Sequence, residues 1–256
     1  MKTYIKNFVN TYWKTLAFFA VVGLIGGFFT GIFLLDSYPV EIQQELLAQG
    51  MNDMMLGVVT AVQSAGYGIV LGAIGIILAK KIGLWKDERS INGKPLMIAV
   101  IGGIIGGLVM ILSDVFFFGQ YSEAIMSSYA EKPTVVYMMA SVTYGAVIEE
   151  VMLRLFWMSL IAFIIYKLFE KKKDEPSTVV FVLANVITAL MFAAGHLPAT
   201  FMLLGNDPLI IFRCFLLNGG LGLLFGFLYR KYGLRYAMIT HGGCHVVSKL
   251  IWILFI

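Results

Sequence analysis

The chain has 256 residues, of which 59% are hydrophobic and only 13% are charged, and its formal net charge is +4. An average soluble domain carries about 25% charged residues, so this composition excludes an ordinary soluble protein and predicts an integral membrane protein. The excess positive charge requires no nucleic acid or acidic partner, because its distribution follows membrane topology. The two cysteines, Cys214 and Cys244, lie in apolar segments and indicate no disulfide framework.

A membrane-spanning helix needs about 20 mostly apolar residues. The first apolar run starts near Thr15 and is longer than the roughly 7–15 residues of a secretory signal core, so we predict a transmembrane helix rather than a cleaved signal. The predicted fold is all-α, a single polytopic membrane domain over residues 1–256 with about seven transmembrane helices and any functional site inside the bundle. The predicted helices are 15–35, 55–79, 96–118, 134–168, 177–204, 208–228 and 236–256.

Charge placement sets the predicted orientation. With seven crossings, nearly all loop Lys and Arg residues fall on one side, and the opposite side receives Lys132 and several acids. By the positive-inside rule, the N-terminus is cytoplasmic and the C-terminus is outside. Separately, we expect the membrane to be the cell membrane of a bacterium or archaeon. Dividing 134–168 into two crossings would move Lys171–Lys173 outside, so we predict one long helix that is tilted or kinked. The basic residues on the cytoplasmic side are Lys2, Lys6, Lys14, Lys80, Lys81, Lys86, Arg89, Lys94, Lys167, Lys171, Lys172, Lys173, Arg230, Lys231 and Arg235.

Glycines recur at four-residue spacing in the first three predicted helices, which lets helix backbones approach closely in lipid. We interpret these positions as packing contacts rather than as a functional site. Asp114 and Arg213 are charged residues within predicted helices, and they either pair between the third and sixth helices or lie at helix ends. The glycines are Gly23, Gly27, Gly31, Gly68, Gly72, Gly102, Gly103, Gly106 and Gly107.

A double acid, Glu149 and Glu150, lies in the fourth apolar run and is followed by Arg154. A charged side chain at a helix centre costs roughly 2.5–3.5 kcal/mol on insertion scales, so such residues indicate a functional site. Glu150 and Arg154 are four residues apart and share a helix face, where they can pair. Glu149 points about 100° away on an α-helix. One acid is thus neutralised locally while the other stays available.

The chain contains three histidines, His196, His241 and His245, and all of them lie in apolar stretches. His241 and His245 are four residues apart and present two imidazoles on one helix face. Glu149 and His196 lie at similar distances from the predicted turn near Lys172, so they can share one level of the bilayer. His241 lies much closer to the next cytoplasmic turn. Glu149 and His196 can therefore lie at the same depth in the bilayer as His241 only under one of two conditions. The hairpin of the fourth and fifth helices must protrude further into the cytoplasm, or it must tilt strongly.

An acid and several imidazoles in a membrane cavity are suited to hydrolysis. A carboxylate in such a site can take a proton from water near neutral pH, and an imidazole can share that water or donate to an oxyanion. Alternatively, Glu149, His196, His241 and His245 are possible ligands for zinc, which would generate hydroxide directly. Other hydrolase patterns are lacking in the sequence, which has no His-Glu-x-x-His segment and no second transmembrane aspartate beside Asp114.

Three motifs follow one another on separate apolar helices: Glu-Glu-x-x-x-Arg at 149–154, Phe-x-x-x-His at 192–196 and His-x-x-x-His at 241–245. In this pattern the chain resembles the CPBP family, which comprises the type II CAAX prenyl endopeptidases and the bacterial Abi proteins of bacteriocin processing and immunity. The resemblance covers a CPBP/Abi-like core at 134–250. It implies an intramembrane endopeptidase that hydrolyses a peptide bond in a membrane-embedded or lipid-anchored substrate, such as a prenylated tail, a leader peptide or a membrane segment.

The resemblance also implies a role for each residue. Glu149 and His196 would activate the attacking water, His241 and His245 would hold the oxyanion, and the second glutamate and the arginine of the first motif would support the site. His245 departs from the family pattern, which has Asn or Asp here, although a neutral imidazole can still donate. We favour a metal-free glutamate mechanism without a cofactor, with zinc as the alternative to which a third imidazole adds a ligand. The predicted site comprises Glu149, Glu150, Arg154, His196, His241 and His245.

Two other functions stay open at the level of sequence. A proton-coupled transporter would use Glu149 and the histidines as a relay, but the inverted repeat of many carriers is not visible. The second is a catalytically inactive scaffold of the bacteriocin-immunity type. Its site would either be retained without activity or be inactivated by His245 in place of the usual Asn or Asp. The expected partners are a membrane-associated peptide or protein substrate and the lipid bilayer, and no nucleic acid.

Overall fold

The structure, a computed structural model, describes residues 2–86 and 91–256. Within these ranges the chain forms helices and connecting loops and contains no β-strand, which confirms the predicted all-α class. Arg89, one of the basic residues predicted on the cytoplasmic side, lies outside the described residues. The α-helices are Lys2–Ser37, Val40–Ala48, Asp53–Lys81, Gly93–Ser113, Gly119–Tyr121, Glu123–Ser127, Val135–Ala140, Ser159–Phe169, Thr178–Gly195, Leu197–Leu204, Pro208–Cys214, Gly220–Tyr232 and Leu234–Phe255, and the π-helices are Asp114–Phe118, Ser141–Glu149, Val151–Met158 and Phe215–Gly219.

Seven helical stretches in the described ranges are long and apolar enough to cross a membrane, as predicted. We number them span 1 to span 7 in chain order. Span 4 is one uninterrupted stretch, in agreement with the single long crossing inferred from the charges. The spans are Ile5–Ser37, Asp53–Lys81, Gly93–Tyr121, Val135–Phe169, Thr178–Leu204, Pro208–Tyr232 and Leu234–Phe255.

The helix of span 1 begins at Lys2, well before the apolar run that starts near Thr15. Tyr12 is buried in this extension, and Lys80 of span 2 donates to its hydroxyl at 2.6 Å. The additional turns are polar in sequence but pack against span 2, and this packing explains why the helix starts earlier than predicted.

Close glycine contacts fix the two helix pairs around which the bundle is built. A Cβ added to Gly23 of span 1 would lie 2.8 Å from the carbonyl oxygen of Ser64 in span 2. A Cβ added to Gly103 of span 3 would lie 3.0 Å from the Cα of Gly243 in span 7. The glycine spacing thus serves helix packing, as interpreted from the sequence. The second contact places span 3 directly behind the helix that carries His241.

The middle of span 4 is π-helical over Ser141–Glu149 and Val151–Met158. In a π-helix the hydrogen bonds run from residue i to i+5, a rare arrangement that is frequent at functional sites. Because each turn holds more residues, successive side chains diverge by less than the 100° of an α-helix. Glu149 ends the first of these segments, and Glu150 lies between the two.

The hairpin of spans 4 and 5 protrudes beyond the turn between spans 6 and 7, one of the two solutions expected from the sequence. The hydroxyls of Ser159 in span 4 and Tyr229 in span 6 are 2.9 Å apart, so the two residues lie at one level. Span 6 ends shortly afterwards, at Tyr232, whereas span 4 continues through the 11 residues Ser159–Phe169. Those residues extend about 15 Å further. This offset brings Glu149 to the depth of His241.

The hairpin loop is closed by Glu170, which follows span 4. Its carboxylate accepts from Lys173 Nζ at 2.6 Å and from the backbone N–H and the hydroxyl of Ser177 at 2.8 Å each. These hydrogen bonds, that of Lys173 foremost, lower the pKa of Glu170 to about 2. The loop therefore enters span 5 in a defined geometry at neutral pH.

Asp114 of span 3 and Arg213 of span 6 are paired, which confirms the interhelix contact considered from the sequence. Arg213 donates through Nε to Asp114 Oδ1 at 2.5 Å and through Nη2 to Oδ2. The hydroxyl of Tyr129 donates to the same carboxylate at 2.6 Å, and burial together with that carboxylate raises the pKa of Tyr129. The cluster ties spans 3 and 6 to the loop that precedes span 4.

Candidate active site

Glu150 and Arg154 form the buried base of the site. Neither side chain is exposed, and Arg154 Nη1 lies 3.1 Å from Glu150 Oε1. Arg154 Nη2 donates to the carbonyl oxygen of Gly222 in span 6 at 3.0 Å. Its guanidinium carbon lies 4.7 Å from the ring centroid of Phe192 in span 5 and 5.3 Å from that of Phe225. The predicted pair is present, and the arginine joins spans 4, 5 and 6 through charge and cation–π contacts.

His241 connects this pair to the neighbouring acid. Its Nδ1 donates to Glu150 Oε1 at 2.9 Å, and its Nε2 lies 4.0 Å from Glu149 Oε2. The imidazole stacks on Phe225 with ring centroids 4.5 Å apart, which fixes its plane. A separation of 4.0 Å is too long for a direct hydrogen bond and suits a small polar molecule shared by both atoms. His241 thus has one nitrogen engaged and directs the other toward Glu149.

His196 lies at the break between the helices Thr178–Gly195 and Leu197–Leu204. Its Nδ1 donates to the carbonyl oxygen of Phe192 at 2.8 Å. Because a carbonyl oxygen only accepts, Nδ1 carries the proton, and Nε2 of the neutral ring has a free lone pair. The Phe192 ring contacts both His196 and His241, at centroid distances of 4.7 and 5.7 Å. His196 therefore belongs to the same cluster and presents a basic nitrogen.

His245 follows His241 by one turn of span 7, with ring centroids 5.0 Å apart. Gly145 of span 4 leaves room for it, since a Cβ added there would lie 3.2 Å from His245 Nε2 and 4.0 Å from Glu149 Oε2. On the other side of the ring, Lys249 Nζ lies 3.4 Å from Nδ1. Nε2 of His245 thus faces span 4 close to Glu149, and Nδ1 faces an ammonium group.

Burial divides the predicted residues into two sets. Glu150, Arg154 and His241 are buried within the bundle. Glu149, in contrast, keeps 21% of its side chain exposed, and the other two histidines are half-buried. Glu149, His196 and His245 are thus accessible in part, whereas His241, which is also predicted to contact the oxyanion, is buried with the supporting pair.

The possible zinc ligands are not arranged as a metal site. Among the residues that the structure describes, no group of three or more His, Cys, Asp and Glu side chains is placed to hold a metal ion. In addition, Nδ1 of His245 lies 3.4 Å from Lys249 Nζ, so this ring nitrogen is already engaged. The residues therefore do not fit zinc in this arrangement, and no chemical step below depends on it.

Lys249 is the neighbour of the site to which sequence reasoning assigned no role. It is buried to 3% exposure, and its Nζ lies 4.1 Å from the ring centroid of Tyr137 in span 4. A signal was present, because Lys249 continues the four-residue spacing of His241 and His245. The contact with Tyr137 could not be predicted, because the two residues are far apart in sequence and Tyr137 belongs to none of the three motifs.

One family model matches the chain. The model is described as Type II CAAX prenyl endopeptidase Rce1-like, and it matches residues 131–247, a range that contains all six predicted site residues. This match confirms the family resemblance inferred from the three motifs. No curated protein and no solved structure gives a significant match.

Proposed function

Since residues 131–247 match the model of the Rce1-like type II CAAX prenyl endopeptidases, we propose that this protein is an integral membrane endopeptidase that hydrolyses a peptide bond of a membrane-associated substrate. The family supports a CAAX-protease-like enzyme. One observation carries the mechanism. Glu149, which takes no part in the Glu150–Arg154 pair, lies 4.0 Å from the Nε2 of His241 inside an apolar bundle.

In the proposed reaction Glu149 is the general base. A water molecule bound near Glu149 Oε2 loses a proton to this carboxylate while its oxygen attacks the carbonyl carbon of the scissile peptide. The lone pair on His196 Nε2 accepts a hydrogen bond from the same water and orients it. When the tetrahedral intermediate collapses, the C–N bond breaks and protonated Glu149 returns the proton to the leaving nitrogen. The products are a carboxylic acid and an amine.

His241 and His245 are the proposed donors to the oxyanion of that intermediate. His241 lies between two carboxylates, with Nδ1 bonded to Glu150 at 2.9 Å and Nε2 facing Glu149 at 4.0 Å. In this proposal the ring acts as an imidazolium between the two carboxylates, and its Nε2–H donates to the oxyanion as negative charge develops. His245 supplies the second N–H from the next turn of span 7. Glu150 and Arg154 hold His241 in this orientation.

The proposal is tested with purified protein in lipid and a panel of membrane-tethered peptides that includes prenylated tails. The variant Glu149→Gln removes the base but keeps the shape of the side chain, so we expect cleavage to fall by about 10²–10⁴-fold. The matched control is Glu175→Gln, the same chemical change at an exposed acid in the hairpin loop, which is expected to leave cleavage unchanged.

Two results would contradict this assignment. If Glu149→Gln and His196→Ala both cleave like the unmodified protein, the proposed catalytic residues are wrong. If the unmodified protein cleaves no member of the panel but moves protons across liposomes in a manner that depends on Glu149, the transporter function replaces the peptidase. Absence of both activities would favour the inactive scaffold.

The metal-free mechanism has a separate test. We expect purified active protein to contain far less than one zinc per chain and to keep its activity in the presence of a chelator. Stoichiometric zinc that is lost together with activity in His245→Ala would establish the zinc mechanism instead.

A further inference from the structure

Lys249 presents a physical problem that the proposed reaction does not explain. Its side chain is 3% exposed in a membrane-spanning helix, and among the described residues it forms no ion pair. A charged group in such a place is costly, so the contacts that it does make are informative. The aromatic face of Tyr137 lies 4.1 Å from Nζ and accounts for part of its stabilisation. The other polar contact is with Nδ1 of His245, at 3.4 Å.

The direction of this hydrogen bond determines where His245 carries its proton. In its ammonium form Lys249 has three donors and no acceptor, so Nδ1 of His245 accepts from it. A neutral imidazole that accepts at Nδ1 carries its proton on Nε2. Nε2 faces Gly145 and Glu149 in span 4, where a Cβ on Gly145 would lie 3.2 Å from it. His245 is thereby held as a hydrogen-bond donor toward the site.

His196 is held in the opposite state by a different neighbour. Its Nδ1 donates to the carbonyl oxygen of Phe192 at 2.8 Å, which leaves the lone pair on Nε2. Two imidazoles of one cluster are thus fixed in opposite tautomers, one by an acceptor and the other by a donor. The first is suited to orient the attacking water and the second to stabilise the oxyanion.

We propose that Lys249 is a positioning residue that holds His245 in the Nε2–H tautomer, so that this histidine donates to the developing oxyanion. The use of the N–H rests on the proposed peptidase function, whereas the tautomer itself does not. Without Lys249 the imidazole of His245 can exchange between its two tautomers. In the other tautomer Nε2 carries a lone pair, which would repel the oxyanion.

The tautomer is measured by nitrogen NMR on protein labelled with ¹⁵N in the histidine rings, reconstituted in lipid. With three histidines in the chain the spectrum is simple, and His245→Gln identifies the signals of residue 245. We expect His245 to show a protonated Nε2 and an unprotonated Nδ1. Lys249→Met, similar in length but without a donor, should change this pattern, whereas Lys249→Arg should keep it. The His196 signals should stay constant and serve as the internal reference.

The kinetic consequence is measured with the same variants. In Lys249→Met we expect kcat to fall roughly tenfold or more, up to the 10²–10³-fold that follows loss of an oxyanion donor, with KM little changed. Lys249→Arg should restore much of the rate, and Lys171→Met in the exposed hairpin loop is the control. In a His245→Gln background, where the amide nitrogen donates without a tautomer to set, Lys249→Met should have no further effect.

The outcomes separate this proposal from the function on which it rests. A protonated Nδ1 at His245 in the unmodified protein overturns the proposal without any variant. So does a Lys249→Met protein that keeps the full kcat while Glu149→Gln is inactive. If the tautomer depends on Lys249 but the unmodified protein has no peptidase activity, the positioning role stands and the proposed function fails.

Discussion

At the scale of single residues, Glu150 and Arg154 show how a membrane bundle holds charge without water. Both side chains are fully buried, and the arginine reaches spans 5 and 6 through Phe192 and the carbonyl oxygen of Gly222. Burying an ion pair brings little net stability, but removing one partner leaves an uncompensated charge. The pair therefore gives His241 a fixed orientation rather than a more stable fold.

We predict that Arg154→Met lowers the free energy of unfolding by about 3–5 kcal/mol, because Glu150 is left buried and unpaired. The loss should appear in denaturant unfolding of the protein in mixed micelles, together with loss of peptidase activity. The double variant Glu150→Gln/Arg154→Met should be clearly more stable than Arg154→Met alone. Equal stabilities would show that the charge left on Glu150 is not the cause.

Gly145 permits a second prediction at this scale. A Cβ there would lie 3.2 Å from His245 Nε2, so in Gly145→Ala the imidazole must shift by a few tenths of an ångström. We expect the rate of peptide cleavage to fall by roughly tenfold, since small misplacements of catalytic groups are costly. Gly66→Ala is the control, because a Cβ at Gly66 meets nothing within 4 Å. An unchanged rate in Gly145→Ala would mean that the position of His245 is not critical.

The sequence predicts the pairing of Glu150 with Arg154 because helical spacing alone brings them together. It also predicts that the histidines share a region with Glu149, through the order of three motifs. It does not predict the contact of Lys249 with Tyr137, which depends on how spans 4 and 7 pack. Nor does it predict which ring nitrogen carries the proton, because that is set by neighbours such as the Phe192 carbonyl.

At the scale of helices, the spans were predictable because length and apolarity in lipid leave few alternatives. The short helix Val40–Ala48 was not, since it lies in a polar connection that carries no apolar run. The π-helical segments of span 4 were also not predictable, because their hydrogen-bond pattern does not change the hydrophobic periodicity of the sequence. The π-helical geometry matters for the site because Glu149 is the last residue of the first π-helical segment.

The contact between spans 3 and 7 leads to a prediction about a helix that carries no catalytic residue. A Cβ on Gly107 would lie 2.8 Å from the carbonyl oxygen of Cys244, so Gly107→Ala must push the two helices apart. We expect lower thermal stability and at least a tenfold lower cleavage rate, because His241 and His245 move with span 7. Gly66→Ala again serves as the control, in both a thermal melt and the cleavage assay. Full activity of Gly107→Ala would show that the backbone contact is dispensable.

At the scale of the whole molecule, the protrusion of the hairpin of spans 4 and 5 gives the site its depth. Ser159 lies level with Tyr229, and the 11 residues Ser159–Phe169 carry span 4 beyond that level. The sequence indicated that some such offset was needed, because His241 lies close to a turn and Glu149 far from one. It could not choose between protrusion and tilt, since that choice depends on packing between spans 4 and 6.

The basic loops lead to a prediction of orientation, with the N-terminus in the cytoplasm and the C-terminus outside. Fusion of a green fluorescent protein to the N-terminus and of alkaline phosphatase to the C-terminus should therefore give two active reporters in a bacterial host. The exchanged fusions should both be inactive. An active phosphatase at the N-terminus would reverse the orientation and place the Lys171–Lys173 loop outside the cell.

Span 7 carries His241, His245 and Lys249 along one face, and it is the least apolar of the seven spans. His241 donates to Glu150 and Lys249 packs on the ring of Tyr137, and both of these partners belong to span 4. On its own in lipid, span 7 would expose these polar side chains to hydrocarbon. Packing against span 4 removes much of that cost. During synthesis span 4 emerges before span 7, so Glu149 and Glu150 are already in the membrane when span 7 is inserted. Assembly of the site and retention of the last helix in the bilayer are then a single event in biogenesis.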